Sequence, residues 1–496
     1  METTKPGGGT LAAVARNFRV TLMGRLTLKA LQLAMAIWVI RRLGQADYGR
    51  YNLLTAYYLF YQVLSDLGTG SLLLQRVGEG QEAFRSLFCR VFRLRLALAG
   101  VSVGISAVAT LLLGYEPELT FWMVVFALPN VLLFNVNQSC ICWYQGQFEM
   151  PRVVRGDVAG QASALVLMAG ALALGGGYAE LFACLIGGEL IRSAVYFWAL
   201  PVAPLGTATG PYEKTQMREI LHWCWPLAVM TVLQILFVRV DVVMLSKLQG
   251  HAAVGLYGVA QKLCQILSLI PEAFFPLVFP VLARFARADP EKGILFFRLS
   301  FKYLALYVAP LGACIGFYSP WVVSLLFGPA FAPSAATLSI HVWTTLGACL
   351  YTITNYLMIS LGLERVNMAY LGGAVAFSVA GNALLQPHLA QNGAAMTALG
   401  AYLVYMLLCM ASSRARQFVG PALRSLLAPV TLAAVVLVVP WGTGLGPIAG
   451  SCAYVAVFAL LAWPLLLSST DDRTVVDAIL RPKDAKPAAA TGPAVE

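Results

Sequence analysis

FRLRLALAGVSVGISAVATLLLG, Phe92 to Gly114, is rich in Leu, Ala and Val, holds no proline and never settles into strict alternation. A run of ~20 such residues spans the ~30 Å hydrocarbon core of a bilayer when helical. Only helices and closed barrels satisfy their backbone polar groups there. Barrel strands alternate apolar and polar over about ten residues, so this stretch reads as a membrane-spanning helix.

Runs of the same kind recur along the whole chain. Between Gly, Pro and charge punctuation, about fourteen spans are expected. They lie near 19–41, 51–74, 92–114, 119–143, 154–175, 178–202, 219–246, 256–283, 299–327, 333–361, 366–388, 393–413, 422–441 and 446–468. Composition agrees: 59% of the 496 residues are hydrophobic and only 11% charged, with a mean hydropathy of +0.74. Soluble domains carry roughly 25% charged residues. The expected fold class is therefore an all-α integral membrane protein.

The net charge of +11 reflects basic residues on cytoplasmic loops rather than a nucleic-acid partner. Alternate loops carry Arg85 and Arg90; Arg152 and Arg155; Lys214 and Arg218; Arg284, Arg287 and Lys292; Arg365; and Arg414 and Arg416. The loops GYEPEL, GGGYAE, GPAFAPS, QPHLAQNG and GTGLGP between them hold no Lys or Arg. Only the first outer loop, with Arg41, Arg42 and Arg50, and the Lys247 loop break the alternation. Both termini are thus expected in the cytoplasm, which an even number of spans requires. No cleaved signal peptide is expected. The ten cysteines are scattered, without metal or redox spacing, and neither cofactor nor metal is expected.

An internal repeat underlies the pattern. LGQADYGRY, beginning at Leu43, is similar to LQGHAAVGLY, beginning at Leu248, and Gly49 and Tyr51 match Gly255 and Tyr257 at an offset of 206. At that offset Asp66 falls on Glu272 and Thr55 on Gln261. Two six-helix bundles related by a pseudo-two-fold along the membrane normal follow, with two further C-terminal helices. The expected divisions are 1–203, a linker at 204–218, 219–413, two helices in 414–468 and a disordered cytoplasmic tail at 469–496.

Charges at membrane depth cost on the order of 3 kcal/mol each, and usually face a cavity. Thr21, Arg25, Lys29 and Gln32 form one polar stripe on the first helix. Arg25 either snorkels to the cytoplasmic face or joins Lys29 in holding an anion. Gln261, Gln265, Ser268 and Glu272 share a face of the eighth span beside Lys262, and Thr55, Gln62 and Asp66 line the second. Asp66, Asp241 and Glu272 are candidates for ion coupling; Asp66 and Glu272, at matching places in the repeats, are alternatively structural partners of Arg25, Lys29 or Lys262. On the seventh span, spacing sets Asp241 rather than Arg239 on the wall of Thr231 and Gln234, and Arg239 either joins the cavity or reaches the outer interface. Asn130, Asn135, Asn137 and Gln138 read as interhelical hydrogen bonders. Short loops and four dispersed histidines argue against a membrane transferase, polymerase or acyltransferase.

WVIRRLGQADYGRYNLL, from Trp38, with LSDLGTGSLLLQR, from Leu64, resembles the opening signature of polysaccharide (O-antigen-type) flippases, of the multidrug/oligosaccharidyl-lipid/polysaccharide exporter superfamily. RVDVVMLSKLQGHAAVGLYGVAQKL, from Arg239, and NYLMISLGLERVNMAY, from Asn355, extend the likeness over nearly the whole chain. NALLQPHLAQNG departs from the pattern at Gln386 and His388. The resemblance implies ion-driven movement, by H⁺ or Na⁺, of a polyprenyl-pyrophosphate-linked glycan to the outer leaflet of a bacterial inner membrane. It also implies possible polymerase and export partners and a basic cavity, for which Arg25, Lys29, Arg239 and Lys262 are the available positions. A multidrug exporter and a lipid II flippase of the same superfamily are the competing readings.

Overall fold

A computed structural model describes residues 8–77, 80–147, 149–198, 200, 211–212, 215–443 and 446–466. The expected tail at 469–496 and most of the 204–218 linker lie outside them, as do the side chains of residues 8–28, including Arg25. Among the described residues every regular element is helical. In chain order these are α1 (Gly8–Asp66), α2 (Thr69–Gln75), α3 (Gln81–Leu113), α4 (Pro117–Val125), α5 (Ala127–Gly146), α6 (Met150–Ala173), α7 (Tyr178–Trp198) and α8 (Met217–Leu248). They continue with α9 (Gly250–Leu267), α10 (Leu269–Ala288), α11 (Pro290–Phe317), α12 (Ser319–Phe327), α13 (Ser334–Ser360), α14 (Glu364–Cys409), α15 (Ser413–Val436), α16 (Val438–Thr443) and α17 (Pro447–Leu466).

Nine helices among the described residues are long and apolar enough to cross a membrane. Other spans are assembled from bent pieces. The 59 residues of α1 are two helices joined at Gly44, where φ is +73°, and α14 is broken at Ala390, where φ is +46°. Gly44 adopts that conformation without a side-chain penalty, whereas Ala390 does so at a cost.

The chain forms two compact units. The first comprises residues 1–263, 322–341 and 368–405. Its central core packs Leu53, Leu54, Tyr57, Tyr58 and Tyr61 of α1 with Phe126, Phe182, Val254 and Tyr257. Tyr58 Oη donates to the Met123 carbonyl at 2.6 Å, and Tyr57 Oη to that of Ser106 at 2.8 Å, so buried phenols are paired. Helices α6 and α7 approach at small residues: a Cβ on Gly188 would lie 2.5 Å from that of Ala164, and one on Gly160 2.7 Å from that of Arg192.

The repeat is visible inside this unit as a reciprocal contact. Gly49 abuts the backbone carbonyl of His251, and Gly255 abuts that of Gln45. Gln45 and His251 stand 206 apart, as do Gly49 and Gly255. Asn52 meets Gly258, its own counterpart, where a Cβ would lie 2.6 Å from Asn52 Nδ2. Residue i touching the mate of j while j touches the mate of i is the signature of a local two-fold.

The second unit comprises residues 264–321, 342–367 and 406–496. Its core joins α11, α15 and α17 through Ala309, Ala433, Tyr454 and Phe458, with Tyr454 Oη donating to the Ala433 carbonyl at 2.9 Å.

Candidate functional site

Three of the four expected cavity cations have described side chains, and they share one field. Lys29 of α1 and Arg239 of α8 both act electrostatically on Lys262 of α9. Lys29 is exposed, and Arg239 and Lys262 are half-buried. Arg239 Nε is buried without a hydrogen-bond partner among the described residues. Three helices from both repeats thus contribute like charges to one region, in which Asp241, interacting with Arg239, is the opposite charge at hand.

Spacing sets Asp241 on the wall of Thr231 and Gln234; in the structure Asp241 is buried, and Arg239 interacts with Lys262. The Asp241 carboxylate accepts hydrogen bonds from the Tyr257 hydroxyl and, at 2.8 Å, from the Val242 amide. Gln386 of α14 donates to the Asp241 carbonyl at 3.1 Å and to Asn382 Oδ1 at 2.8 Å. Gln386 Oε1 and the hydroxyl of Thr397, which packs against Gly381, are buried without partners. The Gln386 departure noted in the sequence therefore sits against a predicted site residue.

Asp66 closes α1 in an ion pair with Arg95 of α3. Arg95 is 1% exposed and also donates to Thr69 Oγ1 at 2.7 Å and to Ser139 Oγ at 2.9 Å. The partners expected for Asp66 do not include Arg95. Arg93 and Arg95 both stand at the start of the span that begins near residue 92, and nothing in their spacing marks Arg95 as the buried one. Glu272, the repeat mate of Asp66, is exposed and belongs to the second unit.

Two of the five expected polar lining residues are engaged in interhelical bonds. Gln32 Nε2 donates to Gln161 Oε1 at 2.8 Å and Gln62 Nε2 to Asn130 Oδ1 at 2.8 Å. Thr55 bonds the Asn52 carbonyl of its own helix at 2.7 Å, Gln261 is half-buried and Gln265 is exposed. Asn137, expected to bond between helices, does so by donating from Nδ2 to Glu189 at 2.8 Å, and its partners escape the sequence reading: Arg192 pairs with Glu189 at 3.0 Å and Tyr196 Oη donates to Asp157 at 3.0 Å. Among the described residues no cluster of His, Cys, Asp and Glu has metal-binding geometry.

The many long apolar helices define the class, a multi-pass membrane protein. The fold is that of solved flippases and exporters. The lipid II flippase MurJ in an inward closed conformation superposes with a TM-score of 0.70 at 11% identity, covering 90% of this chain and 99% of that one. An inward-facing multidrug resistance MATE transporter of the MOP superfamily gives 0.61 at 14% identity, over 83% and 99%. A MOP superfamily transporter from Pyrococcus furiosus gives 0.59 at 15% identity, over 86% and 99%. No curated protein matched by sequence. The profile of the polysaccharide biosynthesis protein family matches residues 39–336, and the chain belongs to that family.

Proposed function

We propose that the protein is a flippase that moves a polyprenyl-pyrophosphate-linked oligosaccharide from the cytoplasmic to the outer leaflet of a bacterial inner membrane. Both termini lie in the cytoplasm, and the repeats 1–203 and 219–413 rock about the site between them. The observation that carries the reading is the gathering of Lys29, Arg239 and Lys262 from α1, α8 and α9, with Arg239 Nε unpartnered. A pyrophosphate supplies the charge and acceptor oxygens that such a group lacks, and charge-assisted bonds are roughly twice as strong as neutral ones. Cationic drugs would need the opposite lining. Transport is ion-coupled, with the Asp241 carboxylate as the cation-responsive group, and requires no catalytic step by this chain. A polysaccharide polymerase and export proteins would act on the delivered glycan.

Deletion of the gene, with complementation by wild type or by Lys29→Gln, Arg239→Gln and Lys262→Gln combined, tests the reading. The expected result is accumulation of a complete lipid-linked repeat unit with loss of surface polymer, rescued by wild type alone. Accumulation of lipid II instead would reassign the substrate. Unchanged lipid-linked glycans with altered tolerance to cationic compounds would overturn the flippase reading.

A further inference from the structure

The two places where basic residues break the charge alternation, the loops of Arg41 and Lys247, are structurally equivalent. Arg41 and Lys247 stand 206 residues apart, the offset of the internal repeat. Arg41 lies near the end of the first segment of α1 and Lys247 near the end of α8, the first helix of the second repeat. Each reaches across to the opposite repeat. The Arg41 guanidinium donates to the Leu326 carbonyl at 2.6 Å and to that of Leu325, the last turn of α12. Lys247 Nζ donates to the carbonyl of Leu113, the last residue of α3, and lies 3.3 Å from the Tyr115 ring centroid. All of these residues belong to the first compact unit.

The last carbonyls of a helix have no intrahelical donor and carry the negative end of its dipole, so a cation there is favoured. Here the capping cation comes from the other repeat in both cases. The same region carries the reciprocal Gly49 and Gly255 contacts. Two neighbouring bonds reinforce it: Gln45 donates to the Ala330 carbonyl, and Tyr115 and Ser246 share a hydroxyl hydrogen bond at 2.8 Å.

We propose that Arg41 and Lys247 are a pseudo-symmetric pair of clasps that hold the two repeats together at the end assigned to the outside, each by capping a helix C-terminus of the other repeat. Their positive charge outside the cytoplasm follows from this task. Opening toward the outer leaflet requires both clasps to release, and the symmetry lets them release together. The inference rests on reading the chain as an alternating-access transporter, but its test needs no substrate, so it fails independently of the glycan assignment.

Spin labels on Leu112→Cys, beside the end of α3, and Ala332→Cys, just past α12, report the separation of the two sides. Cys452, the exposed native cysteine, is changed to Ser in the purified full-length protein. Wild type is expected to give a single short distance population by pulsed electron resonance. The Arg41→Ala/Lys247→Ala pair should raise the ratio of separated to closed molecules roughly ten-fold, as loss of two helix-end charges implies. The charge-preserving Arg41→Lys/Lys247→Arg pair should keep the short population and shows that folding survives substitution at both sites. An unchanged distribution in the double alanine variant overturns the proposal. So does an equal separation in the charge-preserving variant, which would make side-chain shape rather than charge the cause.

Discussion

At the scale of single residues, the consequential charges are those with one charged partner in a low-dielectric setting. Arg95 is buried and satisfied by Asp66, Thr69 and Ser139. Removing one member of a buried pair leaves the other uncompensated and costs about 3–5 kcal/mol. Asp66 retains 22% side-chain exposure and can rehydrate. Asp66→Asn, which leaves the buried guanidinium without a counter-charge, is therefore expected to lower detergent-phase thermal stability more than Arg95→Met, which leaves a carboxylate that water can reach, and equal losses would show that the pair does not anchor this corner. His251 lies against the Tyr115 ring and in the field of Glu116, Arg50 and Lys247. Burial depresses its imidazole below the usual 6.5, so the closed contact favours the neutral form. Separation of the repeats would expose the ring and let it take a proton. The closed contact is then most stable above 6.5 and weakens as pH falls through that value toward the depressed one. Lowering pH from about 8 to about 5 should enlarge the separated population of the spin-labelled protein, while His251→Gln should flatten the response. A pH response identical in both proteins would remove His251 from the account.

Among secondary-structure elements, the boundary between what hydropathy reveals and what backbone detail decides is sharp. The expected spans coincide with helical segments, because the need to satisfy every backbone group in lipid leaves few alternatives. The interruptions were less legible. The span at 119–143 is split at Phe126 into α4 and α5, that at 256–283 at Ser268, and that at 299–327 at Tyr318. Such breaks arise from a single residue's packing and leave the hydrophobic period intact. Contact faces are likewise hidden among abundant glycines: Gly188 lies against α6, whereas a Cβ at Gly170 would meet nothing within 4 Å. Gly188→Val should cost about 1–3 kcal/mol by overpacking, and Gly170→Ala should be neutral or stabilising by helix propensity. Parallel thermal unfolding of the two variants checks this, and similar melting would mean that α6 and α7 tolerate separation.

For the whole molecule, the repeat was legible in sequence as Gly49 and Tyr51 echoing Gly255 and Tyr257, and its physical meaning emerges in the reciprocal contacts at those positions. Candidate charges were legible by type, and the family resemblance grouped Arg239 with Lys29 and Lys262; spacing along α8 could not tell that Asp241 turns to Tyr257. This separation of tasks yields a whole-molecule prediction. On the proposed function the cations meet the headgroup and the carboxylate meets the driving ion, so the two functions should be separable by mutation. One charge moved through 100 mV is worth about 2.3 kcal/mol, roughly a 50-fold bias on transport direction. In proteoliposomes loaded with a lipid-linked glycan, wild type should flip faster under an imposed H⁺ or Na⁺ gradient, and the effective ion is the one that accelerates it. Asp241→Asn keeps the shape of the side chain but not its charge. It should bind the pyrophosphate headgroup with unchanged affinity and flip at the same slow rate with or without the gradient. A variant that still responds to the gradient as wild type does would place the coupling group elsewhere, while one that loses headgroup binding as well would show that Asp241 and the cations act as a single site.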